Sequence, residues 1–301
     1  FIISSDEALE WIEPPKKVCI VGAGAIGCEF ASLLVDLDSD TTVVELEKEI
    51  LPGMDKRTAG ELRKQLTKRG AKFKLGISIT NFDKENRSVT FSDNTTEEFD
   101  AVLISIGRNP LTDSIGIDDL GVKRTNGFVE VDLSSFQTSI SNIYAAGDIV
   151  HGTPQLAHVG FAEGIAAITH IATGEEADIN YDAIPYVVYT SPEVAEVGIN
   201  AENANSKDMK ISHAQHSFVG VGRAIIQNQN NGVVKIFYQE DGPIVGASIC
   251  GPDAGEVIHE LMYMVGWEVL PKEAADFIHA HPTLSEAVGE ALMSASGRGL
   301  H

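Results

Sequence analysis

Lys17-Val-Cys-Ile-Val21 is apolar after its first residue and leads without a break into Gly22-Ala23-Gly24-Ala25-Ile26-Gly27. Such a run reads as a buried strand, and three glycines in the next six positions read as a tight turn. Ile26, Phe30, Leu33 and Leu34 then share one face at helical spacing, and Thr41-Thr-Val-Val44 is a second apolar strand closed by Glu45. Strand, glycine turn, helix, strand and acid form a βαβ unit, and each position has a mechanical reason. Gly22 permits the turn. Gly24 lets backbone approach a pyrophosphate, whose charge the helix N-terminus attracts. Gly27 lets the helix pack closely on the strand. Ala25 and Ile26 complete the loop as candidate dinucleotide-binding positions. Glu45 can accept hydrogen bonds from the adenosine ribose hydroxyls. A carboxylate there repels a 2′-phosphate, and residues 41–47 hold no Arg or Lys, so the expected cofactor is NAD rather than NADP.

The surroundings suit such a unit. Residues 6–13 read as a short helix stopped by Pro14-Pro15. An amphipathic basic helix is expected over 55–69, then strands at 72–75 and 77–80, and a hairpin pairing 87–91 with 96–100. Residues 101–106 are a fully apolar strand ending at Gly107-Arg-Asn-Pro110. Gly107 fits either close approach of a ligand at a strand end or a plain turn. Asn126-Gly127 is a hairpin signal. The stretch Ile143-Tyr-Ala-Ala-Gly-Asp148 ends in a carboxylate that can face a polyol or ribose chain, or cap a helix. A helix rich in small residues is expected over 156–171. From Tyr181 the pattern changes: residues 185–190, 194–198, 210–218, 232–238 and 243–250 alternate like an antiparallel sheet. Helices are expected at 253–266, 271–278 and 284–296, which makes this an α+β domain distinct from the first.

That domain carries His279-Ala-His-Pro-Thr-Leu-Ser-Glu286. Pro282 keeps His281 extended, and Thr283-x-x-Glu286 has the form of a capping box. Glu286 therefore has two readings: it satisfies backbone donors, or it orients His281 as an acid/base pair. No metal site is expected, because neither His279/His281 nor His213/His216 has a carboxylate or cysteine at suitable spacing. The net charge of −22 repels phosphate backbones and anionic surfaces, which argues against nucleic acid and membrane partners. No apolar run reaches the roughly 18 residues of a membrane span. Three cysteines, Cys19, Cys28 and Cys250, make no disulfide framework, and cytoplasm (or mitochondrial matrix in a eukaryote) is the expected location.

In order and content these stretches resemble the flavin-dependent pyridine nucleotide-disulfide oxidoreductases. The resemblance rests on Val21–Glu29, Ile106-Gly-Arg-Asn-Pro110, Ile143–Asp148, Leu156-Ala-His158, Tyr189-Thr-Ser-Pro-Glu-Val194 and His279–Glu286. It spans nearly the whole chain, and His-Pro-Thr-Leu-Ser-Glu favours the lipoamide branch over the glutathione reductase-like one. The fold class it implies is α/β: a Rossmann-like NAD-binding domain over 1–112, the C-terminal part of a FAD-binding domain over 113–180, and an α+β dimerisation domain over 181–301. By resemblance, Gly22, Gly24, Ala25, Ile26, Gly27 and Glu45 hold NAD, and Glu29 is the acid near the nicotinamide–flavin contact. Ile79 touches the adenine and Gly107 the nicotinamide side. Asp148 binds the FAD ribityl chain, with Leu156, Ala157 and His158 beside the isoalloxazine. His281, with Glu286, takes a proton from the dithiol.

The implied activity is oxidation of protein-bound dihydrolipoamide with NAD+ through FAD and a redox disulfide. The implied partners are a second copy, joined through residues after about 180, and the lipoyl domain of a 2-oxoacid dehydrogenase or glycine cleavage complex. The departure from the family is equally plain. The chain begins with Phe1, and a first dinucleotide motif and a C-x4-C redox pair are absent from it. A fragment is therefore expected, one that needs the missing segment to hold FAD firmly. The alternatives are a redox-inactive NAD-binding dimerisation module and another disulfide reductase of the same family.

Overall fold

The structure, a computed structural model, describes residues 1–204 and 208–299. Its first segment comprises β1 (Ile2–Ile3), α1 (Ser5–Ala8), β2 (Lys17–Val21), α2 (Ala25–Asp36), β3 (Asp40–Glu45), α3 (Lys56–Lys68), β4 (Lys72–Leu75), β5 (Ile79–Asp83), β6 (Ser88–Phe91), β7 (Thr96–Glu98) and β8 (Ala101–Ile104). Strands β1-β8-β2-β3-β4 form a five-stranded sheet, parallel at every pairing. Alternation along each strand assigns its two faces. Val18, Ile20, Val43 and Leu103 pack against Cys28, Ala31 and Leu34 of α2 and Leu62 and Leu66 of α3. Cys19, Val44 and Val102 pack against Val89 and Phe91 of the antiparallel β5-β6-β7 layer and against Phe99, just after β7. Both faces are covered, which is why these strands read as continuous apolar runs.

Several boundaries differ from expectation. The first helix stops at Ala8; beyond it Leu9 and Ile12 are exposed, and Trp11 packs against the core from outside the helix. Strand β5 begins at Ile79, because Ile77 and Ser78 spend their N–H groups on the Glu45 carbonyl and the Ser92 hydroxyl.

Gly107–Tyr181 form a compact unit of their own. Strands β9 (Arg124–Thr125) and β10 (Phe128–Val129) pair around Asn126 and Gly127, both at positive φ, the geometry of a two-residue I′ hairpin turn. Strands β11 (Val131–Asp132) and β12 (Gln137–Thr138) make a second pair. A 3₁₀ turn at Gly147–Ile149 follows, then α4 (Ala157–Thr173), which Gly174 closes at φ +77°. The unit's small core is Ile117, Val122, Val129, Ala145 and Val150.

Phe1–Ile106 and the residues from Asp182 onward form the other compact unit. Its later segment comprises β13 (Pro185–Val188), β14 (Glu193–Gly198), α5 (Ala201–Ala204), β15 (Ile211–Ser217), α6 (Gly222–Ile226), β16 (Val233–Gln239), β17 (Ile244–Gly251), α7 (Ala254–Gly266), α8 (Pro271–Ala274) and α9 (Glu286–Ala295). The strands form one antiparallel sheet in the order β13-β14-β17-β16-β15. Its core joins Ile236, Ala247 and Ile249 to Ile258 and Leu261 of α7 and Val288 and Leu292 of α9. Helix α8 is half its expected length, and Phe277 and Ile278 beyond it are exposed.

The joint between the early and late segments of this unit is polar and buried. Asp55 caps α3 by accepting from the Arg57 and Thr58 N–H groups, and its Oδ2 lies 2.7 Å from Lys235 Nζ on β16. Glu196 Oε2 accepts the Asp55 N–H at 2.9 Å, and the Thr58 and Ser248 hydroxyls are 2.7 Å apart. Burial, with the neighbouring Asp55 charge adding to it, pushes the Glu196 carboxyl up to about 7, against bonds from Asp55, Asn200 and Ser248 that hold it down.

Candidate functional site

The glycine loop is built from contacts that sort its three glycines into two kinds. Gly22 has φ +100°, and a Cβ there would stand 2.6 Å from the Ser105 carbonyl oxygen. A Cβ on Gly27 would stand 1.9 Å from the Gly22 carbonyl oxygen. These two are glycines because protein fills the space. Gly24, the N-cap of α2, has nothing within 4 Å of where its Cβ would be. That open space lies at a helix N-terminus, where backbone N–H groups and the helix dipole favour an anion. Ala25 is exposed and Ile26 half-buried in the first turn. Ser105, which the sequence reading missed, braces the loop from β8, its Oγ 2.9 Å from the Val21 and Gly22 carbonyl oxygens.

Glu45 is buried at the end of β3 and already engaged. Its Oε2 accepts the Ala23 N–H at 2.7 Å and its Oε1 the Glu47 N–H at 2.9 Å. A carboxylate offers about four acceptor sites, so capacity remains for two further donors such as a ribose diol. The chain beyond Glu45 borders a cleft of about 580 Å³ lined by Leu46, Glu47, Ile50, Leu51, Gly53 and Gly76, among others, within the usual range for a small-molecule site. Ile79 is half-buried against the Val44–Val89–Phe91 cluster and does not line this cleft.

Glu29, one helical turn beyond Ala25, accepts the Tyr189 N–H at 2.9 Å. Next to it the Ser32 hydroxyl accepts the Ser191 N–H at 3.0 Å, and the Arg69 guanidinium donates to the Ser191 carbonyl. Helix α2 thus carries the loop after β13. Nothing in the local sequence around Glu29 signals Tyr189, Ser32 or Arg69.

His281 Nδ1 lies 2.8 Å from Glu286 Oε1, and Glu286 Oε2 accepts the Thr283 N–H at 2.8 Å. The two sequence readings of Glu286 are therefore both satisfied, one by each oxygen. Only half of the expected capping box forms: Thr283 gives its N–H to Glu286, but its hydroxyl donates to the Ala280 carbonyl, and the N-cap of α9 is Ser285. Burial acts to raise the Glu286 carboxyl, but the Thr283 N–H, the His281 ring and the nearby His279 hold it below its ordinary value. The His281 ring is 77% exposed. With Nδ1–H donated to the carboxylate, the neutral ring presents Nε2 as an acceptor.

In the unit Gly107–Tyr181, Gly107 has φ +127° with open space around its Cβ position. The half-exposed Asp148 carboxylate takes Arg108 Nη1 at 2.8 Å, and Arg108 also reaches the Gln155 carbonyl. Leu156 is the N-cap of α4, and Ala157 and His158 lie exposed in its first turn. Glu163, absent from the sequence reading, is fully buried. It accepts the Gly147 N–H at 2.6 Å and the Tyr181 hydroxyl at 2.9 Å. Burial and this carboxylate push the Tyr181 phenol up. Arg108 and Glu163 therefore fix the Gly147–Asp148 turn from two sides.

All three cysteines are free and buried. Burial raises Cys19 to about 12, and Cys28 and Cys250 further still. None is a thiolate near neutral pH, the form that reacts. No helix among the described residues is long and apolar enough to cross a membrane.

Comparison with known proteins gives this geometry a family. Residues 1–164 match the pyridine nucleotide-disulphide oxidoreductase profile, and residues 184–292 match the dimerisation domain of the same family. The chain is 36% identical over 309 residues to the mitochondrial dihydrolipoyl dehydrogenase of Pisum sativum, covering 100% of this chain and 61% of the relative. It is 34% identical over 308 residues to the dihydrolipoyl dehydrogenase of Bacillus subtilis, covering 100% and 65%. Among solved structures, LpdA from Mycobacterium tuberculosis superposes with a TM-score of 0.85 at 27% identity, over 97% of this chain and 64% of that one. RclA of Escherichia coli, an HOCl-induced flavoprotein disulfide reductase, superposes with a TM-score of 0.86 at 26% identity, over 97% and 67%. The chain thus spans less than two thirds of the length of these curated relatives. By its two matched segments, its fold and these relatives, it belongs to the pyridine nucleotide-disulphide oxidoreductase family.

Proposed function

We propose that the chain serves the oxidation of protein-bound dihydrolipoyl groups by NAD+, with His281 as the base. The observation that carries this reading is the Nδ1–carboxylate bond between His281 and Glu286 beneath an exposed ring. A carboxylate on Nδ1 stabilises the imidazolium that forms when Nε2 takes a thiol proton. The names of the relatives supply the substrate class. Gly24, the first turn of α2 and Glu45 fit an NAD pyrophosphate and ribose, by the open space and spare acceptor capacity described above. Asp148, braced by Arg108, and the first turn of α4 are the residues we assign to FAD. When bound, these groups supply hydride transfer, whereas the chain's own residues bind, orient and move protons. Dimer formation through residues after about 180 is part of the same reading, as is a lipoyl domain as partner.

The test is NAD+-dependent oxidation of dihydrolipoamide by the protein its gene encodes, with glutathione as the competing thiol. Turnover of glutathione disulfide without lipoamide overturns the substrate assignment. His281→Gln is expected to lower kcat by about 10²- to 10⁴-fold. Glu286→Gln keeps an acceptor for Thr283 but removes the charge beside His281, so the acid limb of the pH–rate profile should move to lower pH. An unmoved limb leaves Glu286 as a helix cap alone.

Glu45→Ala is expected to weaken NADH binding by about 10- to 100-fold, the worth of charge-assisted hydrogen bonds, in a fluorescence titration. Binding of NADPH as tight as NADH by the unaltered chain contradicts the preference for NAD.

One observation favours a second reading. Because its three thiols are buried and raised, the chain as it stands supplies no redox pair. A redox-inactive NAD-binding dimerisation module is the alternative, and flavin absorbance of the purified chain separates the two: a colourless protein that binds NADH favours the module.

A further inference from the structure

His279 precedes His281 by two residues, but its ring is turned inward. Its side chain is 16% exposed, and its Nε2 lies 3.2 Å from Glu260 Oε2 on α7. Helix α9 makes room for the ring with a glycine: a Cβ on Gly289 would stand 2.7 Å from His279 Nδ1. Glu260 Oε1 is buried with no hydrogen-bond partner among the described residues. The carboxylate is 29% exposed, but its buried oxygen has no donor, which is costly unless the partner on the other oxygen is a cation. Accordingly the bond to Glu260 raises His279 above the ordinary imidazole value, against its burial, and the Glu260 and Glu286 charges add to the rise. In return His279 helps hold Glu286 low. Glu260, His279, Glu286 and His281 thus alternate acid and base from α7 through the loop to the start of α9.

We infer that His279 is a positioning residue: paired with Glu260, it anchors the loop bearing His281 between α7 and α9 and couples its charge to the Glu286–His281 pair. The inference rests on the proposed function only for what His281 does in catalysis, not for the coupling. The other titratable groups on the elements framing this loop are Glu256, His259 and Tyr263 of α7, Lys272 and Glu273 of α8 with Asp276 after it, Glu290 of α9, and Arg223 of α6, whose Gly222 approaches His281.

The experiment follows the ring Cε1–H shifts of His279 and His281 in the full chain by NMR from about pH 5 to about pH 9, the range over which imidazoles titrate. Coupled groups share macroscopic steps. In the unaltered chain, His281 is expected to show a second inflection at the midpoint of His279. Glu260→Gln should move that inflection to lower pH, because His279 loses the partner that raises it. His279→Gln should delete it and leave one step. Far-ultraviolet circular dichroism checks that each variant is folded, and Glu260→Gln tests the coupling even where His279→Gln folds poorly. A His281 curve with one step in the unaltered chain, identical in both variants, overturns the inference. No cofactor or lipoyl substrate enters the measurement, so it fails or succeeds independently of the dihydrolipoyl assay.

Discussion

Lys235→Met is expected to cost the chain about 3–5 kcal/mol of stability, the usual cost of removing one partner from a buried ion pair. Lys235 and Asp55 are 9% and 2% exposed, so solvent screens them little. Methionine matches the lysine stem in volume, which leaves charge as the main change. With Lys235 gone, Asp55 and Glu196 share the buried joint with no cation between α3 and the sheet. The loss should grow with pH. Glu196 is raised from 4.5 to about 7 in the folded chain, so by linkage its contribution to stability is fully present below 4.5 and is lost as pH rises through about 7. Between about pH 6 and pH 8 Glu196 ionises, and in the Lys235→Met chain it does so beside an Asp55 that has lost its cation. Urea unfolding midpoints at the two pH values measure this. Glu196→Gln should flatten the pH dependence, and Asp55→Asn combined with Lys235→Met should recover most of the loss. A loss under about 1 kcal/mol is inconsistent with a buried pair, and a loss independent of pH shows that Lys235 does not act on Glu196.

Gly27→Ala should lose stability and NADH affinity together, whereas Gly24→Ala should lose affinity alone. The Gly27 Cβ would stand 1.9 Å from the Gly22 carbonyl oxygen and 2.8 Å from Ser105 Oγ. Helix α2 must move away from β2 to admit it. Overpacking of this kind costs about 1–3 kcal/mol, and it displaces the N–H groups of the loop. At Gly24 the methyl group meets open space, so the apo chain should tolerate it, and only a pyrophosphate brought against the backbone would feel it. Thermal unfolding and NADH titration of both variants make the comparison. Unchanged NADH affinity in Gly24→Ala removes the anion from that helix terminus.

The contrast between those glycines marks what the sequence could convey. The spacing of Gly22, Gly24, Gly27 and Glu45 is local, so periodicity and glycine placement expose it. The same holds for the Asn126-Gly127 turn and for His281 with Glu286, five residues apart. What escaped reading arises at long separation. Ser105 meets the glycine loop across 83 residues, Glu29 meets Tyr189 across 160, and Arg108 meets Asp148 across 40. A serine closing an apolar strand, or a glutamate within a small-residue helix such as Glu163, has no local signature of its partner. The Glu286 reading was divided for a different reason: one carboxylate has two oxygens, and a sequence pattern does not reveal that each serves a separate donor.

The buried joint also orders events on the ribosome. Asp55 leaves the exit tunnel 180 residues ahead of Lys235, and Thr58 leaves it 190 residues ahead of Ser248. At about 5–20 residues per second, the first gap lasts roughly 10–40 s. Through that interval the nascent α3 has its cap but neither its cation nor its hydroxyl partner. The unit Gly107–Tyr181 emerges within the gap, with its two hairpins and its own small core complete. Helix α3, translated ahead of that unit, thus completes its polar contacts after it, and translation pauses after residue 181 should lengthen the interval in which those contacts are missing.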